Sequence, residues 1–272
     1  MDTTTRLRRR PDPGRVAVVG LLLAVSAVAW LTTGHRMAGM DAGPGTDPGA
    51  LGFYVSAWVV MMAAMMFPSI GPMVSMYGVV DRGRRATAGS AAGRGATSAF
   101  VGGYLLTWTA FGLGAYGLFG FVRSLDFQVL AWDRAGPYVA GAVIAFAALY
   151  QLTPLKNACL SRCRNPLGFV ISSWRDGRLG AVVMGVHHGG WCVGCCWALM
   201  AALFAVGVMS VAWMAFIALL VAAEKLLPWE RAVSGAIAAS LLVLAIGVVW
   251  DPHNVPGLTL PDSPQSMMRK GR

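Results

Sequence analysis

The sequence predicts an all-α protein, a polytopic transmembrane helix bundle with about seven spans. Hydrophobic residues make up 56% of the 272 positions, and charged residues make up only 12%, about half the share found in soluble domains. The apolar residues fall in blocks of roughly twenty, the length of helix that crosses about 30 Å of hydrocarbon. The lipid bilayer is therefore the predicted surroundings of the chain.

Seven apolar segments are predicted to cross the membrane as helices. They cover residues 16–33, 51–67, 97–122, 135–153, 186–207, 209–227 and 232–250. The first follows an Arg-rich start, and Ala27-Val28-Ala29 resembles a signal-peptidase site, so a cleaved signal peptide with six remaining spans is the alternative. Pro68 and Pro72 follow the second span and are expected to kink any helix that continues through them.

Positive residues are unevenly distributed between alternate loops of this arrangement. With the N-terminus inside, sixteen of the 22 Lys and Arg residues fall on the cytoplasmic side and six on the opposite side. This bias predicts a multi-pass protein of the inner (plasma) membrane with a cytoplasmic N-terminus. It also explains the net charge of +10 without nucleic acid as a partner.

One helical bundle accounts for most of the chain. It covers residues 16–250, between a basic cytoplasmic N-terminus at 1–15 and a Pro-rich tail at 251–272. The third span carries six glycines, which predicts close packing of neighbouring helices and a central position. Glu224 and Lys225 lie at the end of the sixth span and are expected to be solvated at the interface.

The segment from Gly185 to Met200 concentrates the residues best suited to bind a metal. It reads GVHHGGWCVGCCWALM and holds three of the five cysteines. At about 100° per residue, His188, Cys192 and Cys195 share a helix face, while Cys196 is turned away from Cys195 and is expected to serve packing. Thiolate and imidazole suit copper(I) or zinc. The alternative is that these cysteines are small apolar core residues.

A second cysteine pair, Cys159 and Cys163, follows the fourth span in TPLKNACLSRCRNPLG. Their i, i+4 spacing puts both thiols on one face if the segment is helical. Two ligands do not complete a zinc site, which usually has four. The pair is therefore an entry ligand set for a metal, a redox couple or two idle thiols, and the spacing alone does not decide between them.

The second span is rich in methionine. Met62 and Met66, with Met73 and Met76 beyond the prolines, fall on one stripe of an ideal helix. Methionine fills cores adaptably, so packing is one interpretation. The thioether is also a soft ligand for copper(I), which favours copper(I) over zinc if this stripe faces Cys192. Met62 and Met66 are the candidate ligands.

These three features together resemble a known family. The Met-rich segment, the Cys159 and Cys163 pair and the run His188-Gly-Gly-Trp-Cys-Val-Gly-Cys-Cys are similar to a bacterial family described as predicted metal-binding integral membrane proteins, a domain of unknown function. The resemblance covers roughly residues 50 to 250. It implies metal binding by analogy, without naming a metal, a reaction or a partner.

The sequence favours a membrane metal-binding protein that holds or delivers a soft metal such as copper(I). A metal-donor or metal-acceptor protein is then the expected partner. One alternative is a thiol-disulfide redox protein in which Cys192 and Cys195 cycle as a Cys-x-x-Cys pair. Another is a structural subunit of a membrane complex. No catalytic triad, phosphate loop or paired carboxylates stand out, which favours a binding protein over an enzyme.

Overall fold

The computed structural model describes residues 13–38, 49–88, 95–125, 135–208, 210–252 and 255. Within these ranges the chain is all-helical, which confirms the predicted class, and it forms nine helices: α1 (Pro13–Met37), α2 (Leu51–Ala88), α3 (Ala96–Ser124), α4 (Gly136–Tyr150), α5 (Pro154–Arg164), α6 (Pro166–Ser172), α7 (Gly177–Val206), α8 (Val211–Leu226) and α9 (Glu230–Trp250). Most of the predicted N-terminal segment 1–15 and of the tail 251–272 lies outside these ranges.

Five helices in this part of the chain are long and apolar enough to cross a membrane. They are α1, α2, α3, α7 and α9. A sixth span results if α4 and α5, which are bent by 65° at residues 151–153, count as one broken span. The remaining predicted span, 209–227, coincides with α8, whose 16 residues fall short of the roughly twenty that a span usually needs.

Helix α2 runs through both of its prolines, whereas the predicted second span stops at residue 67. Pro68 has no N–H to donate to the carbonyl of Ala64, four residues earlier. Ser26 of α1 donates its hydroxyl to that carbonyl at 2.7 Å, and both residues are buried. The neighbouring helix therefore satisfies the group that proline leaves free, which allows α2 to continue to Ala88.

Glycines let α3 and α7 approach each other closely. A Cβ placed on Gly185 would lie 2.0 Å from the Phe100 carbonyl oxygen, and one on Gly103 would lie 2.2 Å from the Val182 carbonyl oxygen. The other side of α3 faces outward, since Gly102, Gly114, Gly117 and Gly120 have open space around them. The predicted close packing is thus confirmed on one face, but the central position is wrong.

Helices α4 and α8 end beside the middle of α7. Tyr150, the last residue of α4, donates its hydroxyl to the Gly194 carbonyl at 2.6 Å. After it, Thr153 caps α5 by accepting the Lys156 N–H at 3.3 Å, and Pro154 occupies the first turn. This turn redirects the chain, so that α5 packs against α7 and α8.

Candidate metal centre

Three thiols gather on one turn of α7. The sulfur atoms of Cys192, Cys195 and Cys196 lie within 4.8 Å of one another, and all three side chains are buried. Two sulfurs bound to one metal at about 2.3 Å can be at most about 4.6 Å apart, so small side-chain rotations bring this group into bonding range. We call these three residues the thiol cluster.

The place of Cys196 corrects the prediction that it points elsewhere. Residues i+3 and i+4 lie about 60° to one side and 40° to the other side of residue i, so Cys195 and Cys196 flank Cys192. Both thiols donate to the Cys192 carbonyl, at 3.1 and 3.0 Å. These shared hydrogen bonds turn both sulfurs back toward Cys192, although their own Cα directions differ by about 100°.

The second cysteine pair is divided by the fold. Cys163 lies 3.9 Å from Cys195, sulfur to sulfur, and is the only half-buried member of the five cysteines, all of which are free. Cys159 is buried against the backbone of α7, since a Cβ on Gly194 would lie 2.8 Å from its sulfur. Helix α5 thus brings a fourth thiol to the edge of the cluster, while Cys159 lies against α7 at Gly194 and its role as a ligand stays a prediction.

Two polar side chains from other helices contact the sulfur of Cys192. The Lys225 ammonium of α8 lies 3.0 Å from it, and the Tyr104 hydroxyl of α3 lies 3.1 Å from it. An ammonium beside a sulfur stabilises negative charge on that sulfur, the form that binds metals. The expected solvated position of Lys225 is wrong, because its charged end reaches inward to Cys192 and to the Ser69 hydroxyl, 3.3 Å away.

Glu224 is also buried rather than solvated. It forms an ion pair with Lys156 of α5, and the Lys156 ammonium also donates to Ser234 of α9 at 3.4 Å. Arg164 donates to the backbone carbonyls of Glu224 and Leu227, at 3.0 and 2.5 Å. Adjacent residues of α8 therefore have separate roles: Glu224 holds α5 and Lys225 faces the thiols.

His188 lies one turn before Cys192, outside the tight group of three thiols. Its ring is buried among Phe100, Tyr104 and Phe169, with centroid distances of 6.1, 5.9 and 5.3 Å. Its Nδ1 has no hydrogen-bond partner within the described part of the chain. A buried polar atom without a partner is costly, so this nitrogen is a free donor atom near the cluster.

Met62 and Met66 are fully buried in α2. The helix reaches the cluster through Ser69, which lies one turn after Met66. The Lys225 ammonium contacts both the Ser69 hydroxyl and the Cys192 sulfur. Trp58 of α2 also stacks on Phe204 of α7 at 5.7 Å. The two helices therefore meet through side chains, at Trp58 with Phe204 and at Ser69 with Lys225 and Cys192. Direct ligation by Met62 or Met66 stays a prediction.

Sequence reasoning missed Lys225 and Tyr104. Lys225 was grouped with cytoplasmic charges because it ends an apolar segment, although an adjacent Glu and Lys point to different sides of a helix and can have different partners. Tyr104 belongs to a different helix from the cysteines, and a single sequence carries no signal that joins the two. The thiols, in contrast, lie close in the sequence.

A family model described as a copper chaperone, PpoB2, matches residues 55–248 of this chain. The match includes the thiol cluster, Cys163, Lys225 and His188, and it agrees with the relation to metals that the sequence resemblance implies. The searches of curated proteins and of solved structures each give no match. Because the model covers well over half of the 272 residues, the chain belongs to the PpoB2 copper chaperone family.

Proposed function

We propose that this protein is a membrane copper chaperone that carries copper(I) in the thiol cluster and passes it to an acceptor protein. The observation that carries the proposal is the gathering of Cys192, Cys195 and Cys196 within 4.8 Å inside an apolar bundle. Buried thiolates are costly unless a cation compensates them, and copper(I) supplies that compensation together with strong bonds to sulfur.

The donor set favours copper(I) over zinc. The tight group offers three sulfur atoms, one fewer than the four ligands of a structural zinc site; Cys163 lies 3.9 Å from Cys195 but not within 4.8 Å of all three thiols. Three thiolates on a monovalent ion leave an excess of negative charge, and the Lys225 ammonium offsets part of it at 3.0 Å from Cys192. Hard, oxygen-preferring cations find no carboxylate or carbonyl cage among these sulfurs.

The membrane setting is supported by the distribution of apolar side chains. Large aliphatic residues cover the outside of the helices, for example Leu21, Leu118 and Val243, each more than 60% exposed, while the charged Lys156 and Glu224 are inside. Water disfavours such a surface, whereas lipid tails accommodate it. The copper(I) ion would then be carried at a site shielded from water and oxidants.

Cys163 is the residue best placed to exchange copper with a partner. It is half-buried and lies 3.9 Å from Cys195, so an ion can pass between the cluster and Cys163 by replacing one sulfur ligand with another. Copper remains copper(I) in such an exchange, and each thiol that becomes a ligand releases its proton to solvent. Cys159 does not take part, because its sulfur packs against Gly194.

The test is copper(I) binding to the purified full chain in detergent or lipid nanodiscs. The intact chain should bind one copper(I) in the cluster, with sulfur-dominated scattering in copper K-edge X-ray absorption. Cys192→Ser, Cys195→Ser and Cys196→Ser should each lose that ion or bind it far more weakly. Cys159→Ser is the matched control and should retain it.

Two other outcomes separate the competing functions. If the mass of the chain changes reversibly by two protons and no metal is bound, the protein is better interpreted as a thiol-disulfide redox protein. A chain that holds neither metal nor a disulfide would favour a structural subunit. Retention of the ion by all three cluster variants would show that the copper site lies elsewhere in the chain.

A further inference from the structure

A cavity of about 570 Å³ lies between the end of α6 and the first half of α7. Two soft or borderline metal donors line it: Met184, which is buried, and His187, which is exposed. Thioether and imidazole both bind copper(I). The cavity is two turns of α7 before the thiol cluster, about 12 Å along the helix axis.

The donors in this part of α7 repeat the spacing of the thiol cluster. Met184, His187 and His188 occupy positions i, i+3 and i+4, as Cys192, Cys195 and Cys196 do eight residues later. This spacing puts three side chains on neighbouring positions of the helix surface, with Cβ atoms about 5–6 Å apart. The spacing that places three thiols on adjacent positions of α7 therefore also places one thioether and two imidazoles on adjacent positions.

His188 connects the two groups. It is buried, its Nδ1 lacks a hydrogen-bond partner among the described residues, and it lies one turn after Met184 and one turn before Cys192. Tyr104 contacts both His188 and Cys192: its ring lies 5.9 Å from the His188 ring, and its hydroxyl lies 3.1 Å from the Cys192 sulfur. His188 and Cys192 thus face the same neighbour on α3.

Phe169 of α6 lies beside both histidines. Its ring lies 5.6 Å from the His187 ring and 5.3 Å from the His188 ring, so it packs against both imidazoles. Arg175 also lines the cavity and is exposed, and its backbone N–H donates to the Met184 sulfur at 3.3 Å. A positive charge at the cavity repels every cation, so an ion held there must gain its binding free energy from bonds to the soft donors.

We propose that Met184, His187 and His188 form a second copper(I) site, through which the ion passes between the cavity and the thiol cluster. The transfer step rests on the proposed function, while the site itself stands on its own donors. The ion exchanges thioether and imidazole bonds for bonds to thiolate sulfur and keeps its +1 charge. The thiols that become ligands release their protons to solvent.

The first experiment tests the site without the thiol cluster. A full chain with Cys192, Cys195 and Cys196 changed to Ala is given chelator-buffered copper(I), and its copper K-edge absorption is measured. We expect one weakly held copper(I) with nitrogen and thioether scattering. Adding Met184→Leu and His187→Gln should remove it, while Met214→Leu, which changes a buried methionine of α8, should not.

The second experiment measures how fast the intact cluster is loaded. Met184→Leu should slow copper(I) loading of the thiol cluster by about tenfold and leave the final amount of thiolate-bound copper unchanged, since even the loss of an outer-shell partner of a metal site typically costs 10–100-fold in affinity or activity. The inference is overturned if the chain without the cluster holds no copper(I) and Met184→Leu loads at the unmodified rate. If the intact chain shows no thiolate-bound copper but the cluster-free chain holds copper with nitrogen and thioether scattering, the thiol centre fails and the second site stands.

Discussion

At the residue scale, Lys225 brings a positive charge into contact with the thiol cluster. Its ammonium contacts the Cys192 sulfur at 3.0 Å and the Ser69 hydroxyl at 3.3 Å. Copper(I) on three thiolates carries excess negative charge, which a neighbouring ammonium offsets more strongly inside the bundle than it would in water. In the proposed copper site, Lys225 would therefore act through the charge of the ligands rather than as a ligand.

Lys225→Met, which removes the charge and keeps most of the side-chain volume, should weaken copper(I) binding by about 10–100-fold. Competition with a copper(I) chelator measures the change. Ser69→Ala is the control, because it removes the other partner of Lys225 and leaves the charge in place, so its affinity should change much less. Equal affinities for Lys225→Met and the unmodified chain would mean that the ammonium does not compensate the bound site.

How far the sequence predicts this site depends on the distance along the chain between its members. Helical periodicity groups Cys192 and Cys195 because they share a helix, whereas His188 shares their face but lies outside the tight group. Periodicity also puts Cys196 only about 40° from Cys192, and the prediction that it points elsewhere compared it with Cys195 alone. Lys225 and Cys163 come from other helices. Their contacts with Cys192 and Cys195 depend on how helices pack, which periodicity within one segment does not encode.

At the element scale, the contact between α3 and α7 depends on backbone packing at glycine. Gly185→Ala puts a Cβ about 2.0 Å from the Phe100 carbonyl, so the helices must separate. We expect a clear loss of thermal stability in detergent and weaker copper binding, because Tyr104 and Phe100 move away from α7. Gly190→Ala has nothing within 4 Å and should be neutral or slightly stabilising, since alanine favours helix. Similar melting of both variants would contradict this account.

Helix α5 is held against α8 by a buried ion pair between Lys156 and Glu224. Removing one partner leaves an uncompensated charge, so Lys156→Met should destabilise the protein by about 3–5 kcal/mol. Changing both residues, to Met and Gln, should recover much of that loss. A double-mutant cycle on thermal stability measures the coupling. Additive effects would show that the two side chains do not depend on each other.

At the scale of the whole molecule, the helices fall into a long group and a short group. With 38, 29 and 30 residues, α2, α3 and α7 are about 57, 44 and 45 Å long, more than the roughly 30 Å of hydrocarbon in a bilayer. Helices α4 and α8 are short and end beside the cluster. The long helices therefore extend past the thiols on the side of α5 and α6, where the cavity also lies.

This arrangement also explains which parts of the fold the sequence could predict. Hydropathy predicts apolar segments, and a helix lies in each of the seven. It does not predict that α2 continues past Pro68, because that depends on Ser26 of α1. Nor does it predict that Lys156 is buried or that the Lys225 ammonium reaches inward to Cys192. Without these two, fourteen positive residues still fall on the predicted cytoplasmic side against six opposite.

The predicted orientation can be tested by labelling single cysteines introduced into a chain without its own cysteines. Arg84 lies 5.0 Å from the Trp174 ring, so reporters at Arg84 and Arg178 should react from the same side, which the charge bias makes cytoplasmic. Helix α9 begins near Arg164, where Glu230 lies 3.3 Å away, and ends far from it, so a reporter at Trp250 should react from the opposite side. If Arg84 and Trp250 react from the same side, the chain crosses the membrane an even number of times between them. The topology with seven spans would then be wrong.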